Sequence, residues 1–230
     1  MSATRPNTPE RTHYLLTAHV VERGHAPDVG ALARLAGCTE PEAAEGLARL
    51  RDLRGVILEP DSSRVRSLHP FALTPTPFWV ATDDRRGWRA NSAWCSLGIA
   101  AAWNRGVTVS ARDGGEGGPL TVRVESGRPT RPDPVVHFPY PPARWWDNPY
   151  APCVNILFFT SAETIDGWCA RHGRPRGAVV GVDTVAELDW LWFGDHASPG
   201  WRRKTAAEAD AIFRRLGLDP DFWTIPTSFR

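Results

Sequence analysis

The sequence predicts an α+β fold: an N-terminal winged-helix-like helical unit, residues 1–70, followed by a small antiparallel or mixed sheet domain with flanking helices, residues 71–230. Three observations carry this. Helical patterns follow one another from Thr12 to about Arg54, short β-type runs crowd the middle of the chain, and Thr-x-x-Glu boxes recur in the last third.

The first helices are "THYLLTAHVVER", "VGALARLAG" and "PEAAEGLARLRDLRG". In the second, Leu32, Leu35 and Ala36 share a face at i, i+3, i+4, and Gly37 ends it; in the third, Leu47, Leu50 and Leu53 repeat the spacing. "GVILEPDSSRVRSL" then reads as two short strands around a Pro-Asp-Ser-Ser turn, which completes a winged-helix pattern.

A helix in "NSAWCSLGIAAAW" comes next, with Ser92 as its N-cap. "GVTVSARD" and "PLTVRVES" read as strands joined by the glycine turn "GGEGG". The segment 127–152, "GRPTRPDPVVHFPYPPARWWDNPYAP", is so rich in proline that neither a helix nor a central strand is expected. A loop of that length is commonly a lid or a binding loop.

"CVNILFFT" reads as a buried strand beginning at Cys153, and "GAVVGVD" as another strand. Thr160 with Glu163, Thr184 with Glu187, and Thr205 with Glu208 are capping boxes for helices of about 12, 9 and 12 residues, with Gly173 and Gly217 as stops.

Composition bounds the function. With 42% hydrophobic and 23% charged residues over 230 positions the chain can bury a real core, and its net charge of +1 gives no sign of a polyanionic or membrane-surface partner. No apolar run approaches the roughly 18 residues that span a bilayer, and the N-terminus lacks a signal-peptide pattern, so the expected location is cytoplasmic. Four cysteines in so long a chain suit a reducing compartment. Residues 1–70 carry nine arginines against nine acidic residues, and the helix that enters the groove in a winged helix carries Glu40, Glu42 and Glu45. DNA binding is therefore not expected, because a DNA reader presents a basic face to the phosphates.

The candidate chemistry lies in the cysteines. Cys95 stands three residues after Ser92, near the positive end of a helix dipole, a place that favours thiolate over thiol. Cys153 lies just after the long loop. Two cysteines converging from such places make a soft dithiolate site for mercury, copper(I) or another thiophilic centre. Cys169 shares a helical face with Ile165, Trp168 and His172, and Cys38 follows a helix-ending glycine, so both read as structural. There is no CxxC pair to suggest a zinc site. Among the 11 tryptophans, Trp94, Trp145 and Trp146 flank the candidate cysteines and can wall an apolar pocket together with Gly98.

In the order "HPFALTPTPFWV", "WRANSAWCSLGIAAAW", "VTVSARDGGEGGPLTV", "CVNILFFTSAETIDGWCARH", the chain resembles the alkylmercury lyases, also called organomercurial lyases, over about residues 12–195. The resemblance implies that Cys95 and Cys153 grip the mercury of an organomercurial, and that carbon is protonated to release a hydrocarbon and leave mercuric ion. It implies no cofactor beyond excess cellular thiols, with the thiophilic metal as substrate and product. The family's Trp-Cys-x-x-Asp motif ends here in Gly98, a further family cysteine aligns with Asp113, and Val154-Asn155 replaces a Cys-His pair. Positions 95 and 98 share a helical face, so the missing carboxylate is one that reaches what the thiolate holds. Asp147, six residues before Cys153, is the candidate replacement. The same residues also allow a paralogue with a reactive Cys95 acting on a different organic substrate, or a thiol-based metal-binding or sensor protein without lyase activity.

Overall fold

The computed structural model describes residues 8–145 and 150–225. Three capped helices open it. Helix α1 (Pro9–Arg23) starts at Thr8, whose side chain accepts from the Arg11 N–H, and stops at the left-handed Gly24; α2 (Val29–Ala36) runs from Asp28 to Gly37. Thr39 and Glu42 form a reciprocal capping box for α3 (Glu40–Asp52). Leu16, Val20, Leu32, Ala33, Leu47 and Leu50 are their buried stripe. Leu35 and Leu53, which the spacing placed on the same faces, remain 46% and 39% exposed because the helices turn Ala33 and Ala43 inward instead.

Strands β1 (Ile57–Leu58), β2 (Val65–Leu68), β3 (Phe71–Ala72), β4 (Phe78–Ala81), β5 (Gly87–Ala90), β6 (Val107–Arg112), β7 (Pro119–Glu125) and β8 (Arg128–Pro129) form one sheet in the order β1-β2-β3-β5-β4-β6-β7-β8. Every pairing in it is antiparallel. The hairpin of the N-terminal unit thus continues through β2 and β3 into the main sheet. Strand β7 alternates between exposed and buried residues along its length, the mark of a strand with one solvated face.

Helix α4 (Ala93–Trp103) is the centre of the molecule. All residues from Ala93 to Ala102 are buried, and no polar stripe interrupts it, which is what a helix packed on every side requires. The sheet strands β4, β5 and β6 lie against it on one side and helix α7 (Val182–Phe193) on the other. That packing explains Gly98: a Cβ there would stand 2.5 Å from Cδ2 of the Phe193 ring.

A second antiparallel sheet has the order β10-β9-β11, made of β9 (Val135–Phe138), β10 (Leu157–Phe159) and β11 (Ala178–Gly181). Its central strand comes from the proline-rich segment, against expectation. Pro134 and Pro139 bracket β9 without entering it, so its four residues keep the N–H groups that a central strand must donate. The segment read as a strand from Cys153 divides instead into a one-turn helix α5 (Tyr150–Cys153), a turn, and β10.

Helices α6 (Glu163–His172) and α8 (Ala206–Arg215) complete the chain. Of the three expected capping boxes only Thr205–Glu208 forms. Thr160 is drawn away to Asp113, to which it donates from both N and Oγ1 at 3.0 and 2.8 Å, and Thr184 falls inside α7, which begins at Val182. Among the described residues no helix is long and apolar enough to cross a membrane.

Candidate functional site

The start of α4 and the turn after α5 are tied together by backbone. The Ala93 N–H donates to the Ile156 carbonyl at 2.9 Å, and the Ile156 N–H to the Cys153 carbonyl at 3.0 Å. Beside them, the buried Asn91 donates through Nδ2 to Ser67 Oγ and to the Phe71 carbonyl, which fixes the chain just ahead of the helix cap. Ser92 Oγ accepts from the Cys95 N–H at 3.0 Å, leaving its own proton free to point elsewhere.

This frame brings the two sulfurs to 3.4 Å, with Ser92 Oγ 3.4 Å from Cys153 Sγ. All four cysteines are free thiols. The site gains a residue that the sequence reading missed: His69, at the turn between β2 and β3, offers a ring nitrogen that lies with both sulfurs in a group whose atoms are all within 4.8 Å of one another. Its signal was weak, a histidine ahead of Pro70 more than twenty residues before Cys95, and only the pairing of β3 with β5 carries it to the head of α4.

The two thiols are electrostatically unequal. Burial pushes the Cys95 thiol well up, and the neighbouring Cys153 adds to the shift. Cys153 is held well below the usual thiol range by the hydrogen bond from Cys95, against the effect of burial, with His69 and Ser92 helping. Either sulfur can donate across the 3.4 Å contact, and the surroundings favour Cys153 over Cys95 as the thiolate. This reverses the expectation that Cys95, at a helix start, is the thiolate: the helix end there is sealed, and the cap serine already takes its N–H.

Cys153 opens onto a cavity of about 100 Å³. His69, Trp94, Trp145, Phe193, His196 and Trp201 contribute to its walls, while Arg54, Arg202, Arg203 and Lys204 stand at its basic side. Trp94 and Trp145 meet with ring centres 4.8 Å apart, and the Trp145 indole N–H donates to the Tyr140 carbonyl at 3.0 Å, so the lid-like segment holds one wall of the cavity. His13 stacks on Trp201 at 3.5 Å and meets His196 edge-on at 5.3 Å. Burial pushes both histidines down, His13 well below the usual imidazole range.

Gly98, expected at the pocket, lies instead beneath Phe193, which forms the wall in its place. Trp146 and Asp147 lie outside the described residues. Asp113, where the family resemblance implies another cysteine, is committed to Thr160, and Asn155 donates to the Ala151 carbonyl at 2.6 Å. Cys169 packs in the core 3.8 Å from His137 Nε2.

Asp189 is the second residue the sequence reading missed. It lies on α7, fully buried, and burial pushes its carboxyl well above the usual carboxylate range. The indole N–H of Trp94 faces it without closing a well-formed hydrogen bond, and neither carboxyl oxygen has a hydrogen-bond partner. In sequence it reads as one acidic residue among several in an amphipathic helix, with nothing to mark it.

A family model described as MerB, alkylmercury lyase, matches residues 71–194. A solved structure titled as the mercury-bound form of MerB2 superposes with a TM-score of 0.61 at 18% identity, covering 82% of this chain and 90% of that one. No curated protein matches.

Proposed function

The chain belongs to the alkylmercury lyase family, and we propose that it cleaves carbon–mercury bonds by protonolysis on the Cys95–Cys153 pair. The observation that carries the proposal is the 3.4 Å sulfur separation at the wall of an aromatic cavity. Two metal–sulfur bonds of about 2.3 Å, the zinc–thiolate length, span that gap when bent at the metal.

The order of events follows from access. Cys153 lines the cavity and carries the thiolate character, whereas Cys95 is fully buried behind it, so an incoming R–Hg–SR′ meets Cys153 first and exchanges its thiolate there. Cys95 then becomes the second sulfur on mercury. Overall, R–Hg–SR′, one cysteine thiolate and one cysteine thiol give R–H, mercury held by two cysteine sulfurs, and R′S⁻; the thiol proton ends on carbon and the departing thiolate takes a proton from solvent. The aromatic walls receive R, and excess cellular thiols remove mercuric ion by further exchange. His69 stands where it can steady the metal as a nitrogen neighbour to the sulfurs.

The alternative of a lone reactive Cys95 has less support, because a buried thiol with a raised pKa is a poor nucleophile. The test is hydrocarbon release. In excess thiol, the protein is expected to liberate benzene from phenylmercury and methane from methylmercury, and Cys95→Ser and Cys153→Ser are each expected to abolish it. Absence of hydrocarbon from the unmodified protein rejects the proposal.

A further inference from the structure

Cleavage by protonolysis needs an acid, and α4 provides none at position 98. The geometry points to Asp189 as that acid: a carboxyl carried by α7 rather than by α4, sealed behind the cysteine pair, that delivers its proton to the carbon leaving mercury. This rests on the lyase reading above.

Four features of the structure support it. Asp189 is the one fully buried carboxylate among the described residues, and both of its oxygens lack a hydrogen-bond partner. A buried polar group left unpaired is costly, and carboxyls placed in such surroundings cluster at functional sites. Second, its carboxyl is near enough to the pair to interact with both sulfurs. It shares the face of α7 that packs on α4, and the Trp94 indole beside it belongs to the residue before Cys95.

Third, α7 fills and supplies from one face. Phe193, four residues on from Asp189, occupies the space in front of Gly98, so a side chain carboxylate on α4 is excluded by the same helix that brings one of its own. Fourth, the other carboxylates near the cavity are engaged: Asp195 accepts from Lys204 Nζ at 3.2 Å and pairs with His196, and Glu208 is bound by Arg202.

The proton balance closes. As the C–Hg bond breaks, its electron pair takes the Asp189 proton and forms the C–H bond. The carboxylate left behind recovers a proton from the cysteine thiol whose sulfur takes mercury, and mercury remains on the two sulfurs. Cys95 and Asp189 are both fully buried, whereas Trp94, Phe193 and Cys153 line the cavity.

The experiment compares the unmodified protein with Asp189→Asn, which keeps size and shape, using phenylmercury with excess thiol. Benzene release is expected to fall about 10²- to 10⁴-fold, the range for a lost general acid, while single-equivalent capture of phenylmercury is unchanged. Infrared difference spectra are expected to show a protonated carboxyl band, shifted in D₂O, in the unmodified protein and not in the variant. Benzene release at the unmodified rate by Asp189→Asn overturns the assignment alone, as does a loss of capture together with turnover, which marks a structural residue. No benzene from the unmodified protein overturns the lyase reading and this inference with it.

Discussion

Cys95 and Cys153 are 3.4 Å apart, yet they face two different media. On the Cys95 side everything is closed: the sulfur is fully buried, the helix around it is buried along its length, and burial pushes the carboxyl of Asp189 on α7 well above the usual carboxylate range. On the Cys153 side the sulfur meets a cavity, an imidazole and a hydroxyl. The difference teaches that a helix N-terminus does not by itself make a thiolate. Local dipoles of the first turn contribute of order 0.3–1 kcal/mol at exposed sites, whereas full burial moves a pKa by as much as 3–5 units, which is several times larger.

The largest effect that sharpens this comparison lies on the closed side. Because the folded protein holds the Asp189 proton and the unfolded chain releases it near the ordinary carboxylate value, the folded state binds more protons above that value. Stability is therefore greatest at low pH as far as this group is concerned, and falls as pH rises towards the raised value, by up to about 1.4 kcal/mol per pH unit. Asp189→Asn is expected to remove that slope and to be more stable than the unmodified protein at neutral pH. Chemical denaturation at a series of pH values measures it, and parallel curves for the two proteins break the picture of a neutral, sealed carboxyl.

On the open side, iodoacetamide at neutral pH is expected to modify Cys153 before Cys95, by roughly tenfold or more in rate, since each unit of pKa difference changes the thiolate fraction tenfold. Peptide mapping after brief labelling reads the order. Faster labelling of Cys95 reverses the assignment of the thiolate.

The smallest effect tests the packing that separates the two sides. Gly98→Ala gains about 1 kcal/mol of helix propensity but sets a methyl 2.5 Å from the Phe193 ring, an overpacking that costs about 1–3 kcal/mol. A net loss is expected, lowering Tm by about 2–4 °C per kcal/mol. A higher melting temperature shows that Phe193 yields freely.

Much of the fold was legible. The three N-terminal helices, the β6–β7 hairpin and α8 follow from periodicity, caps and glycine stops, because those signals are local and nothing distant competes with them. The failures have specific physical causes. Thr160 carries the residues of a helix cap but finds in Asp113 a partner 47 positions away, and Val135–Phe138 is a central strand in spite of its prolines because the prolines fall at its two ends. Likewise Leu35 fits a buried stripe and stays exposed.

By itself the sequence determined which residue types the site has: two cysteines of the right spacing and family context, a serine cap, aromatic neighbours, and a glycine where a carboxylate is expected. Only the tertiary structure decided their states and their company. Which thiol keeps the proton depends on burial, which is a property of all the surrounding elements at once. That His69 joins the sulfurs depends on strand pairing, and that Asp189 stands behind them, in the helix that also fills the space at Gly98, depends on how α7 packs on α4. Contacts between residues some ninety positions apart leave no periodic trace in the chain, and so they become visible only when the elements are packed.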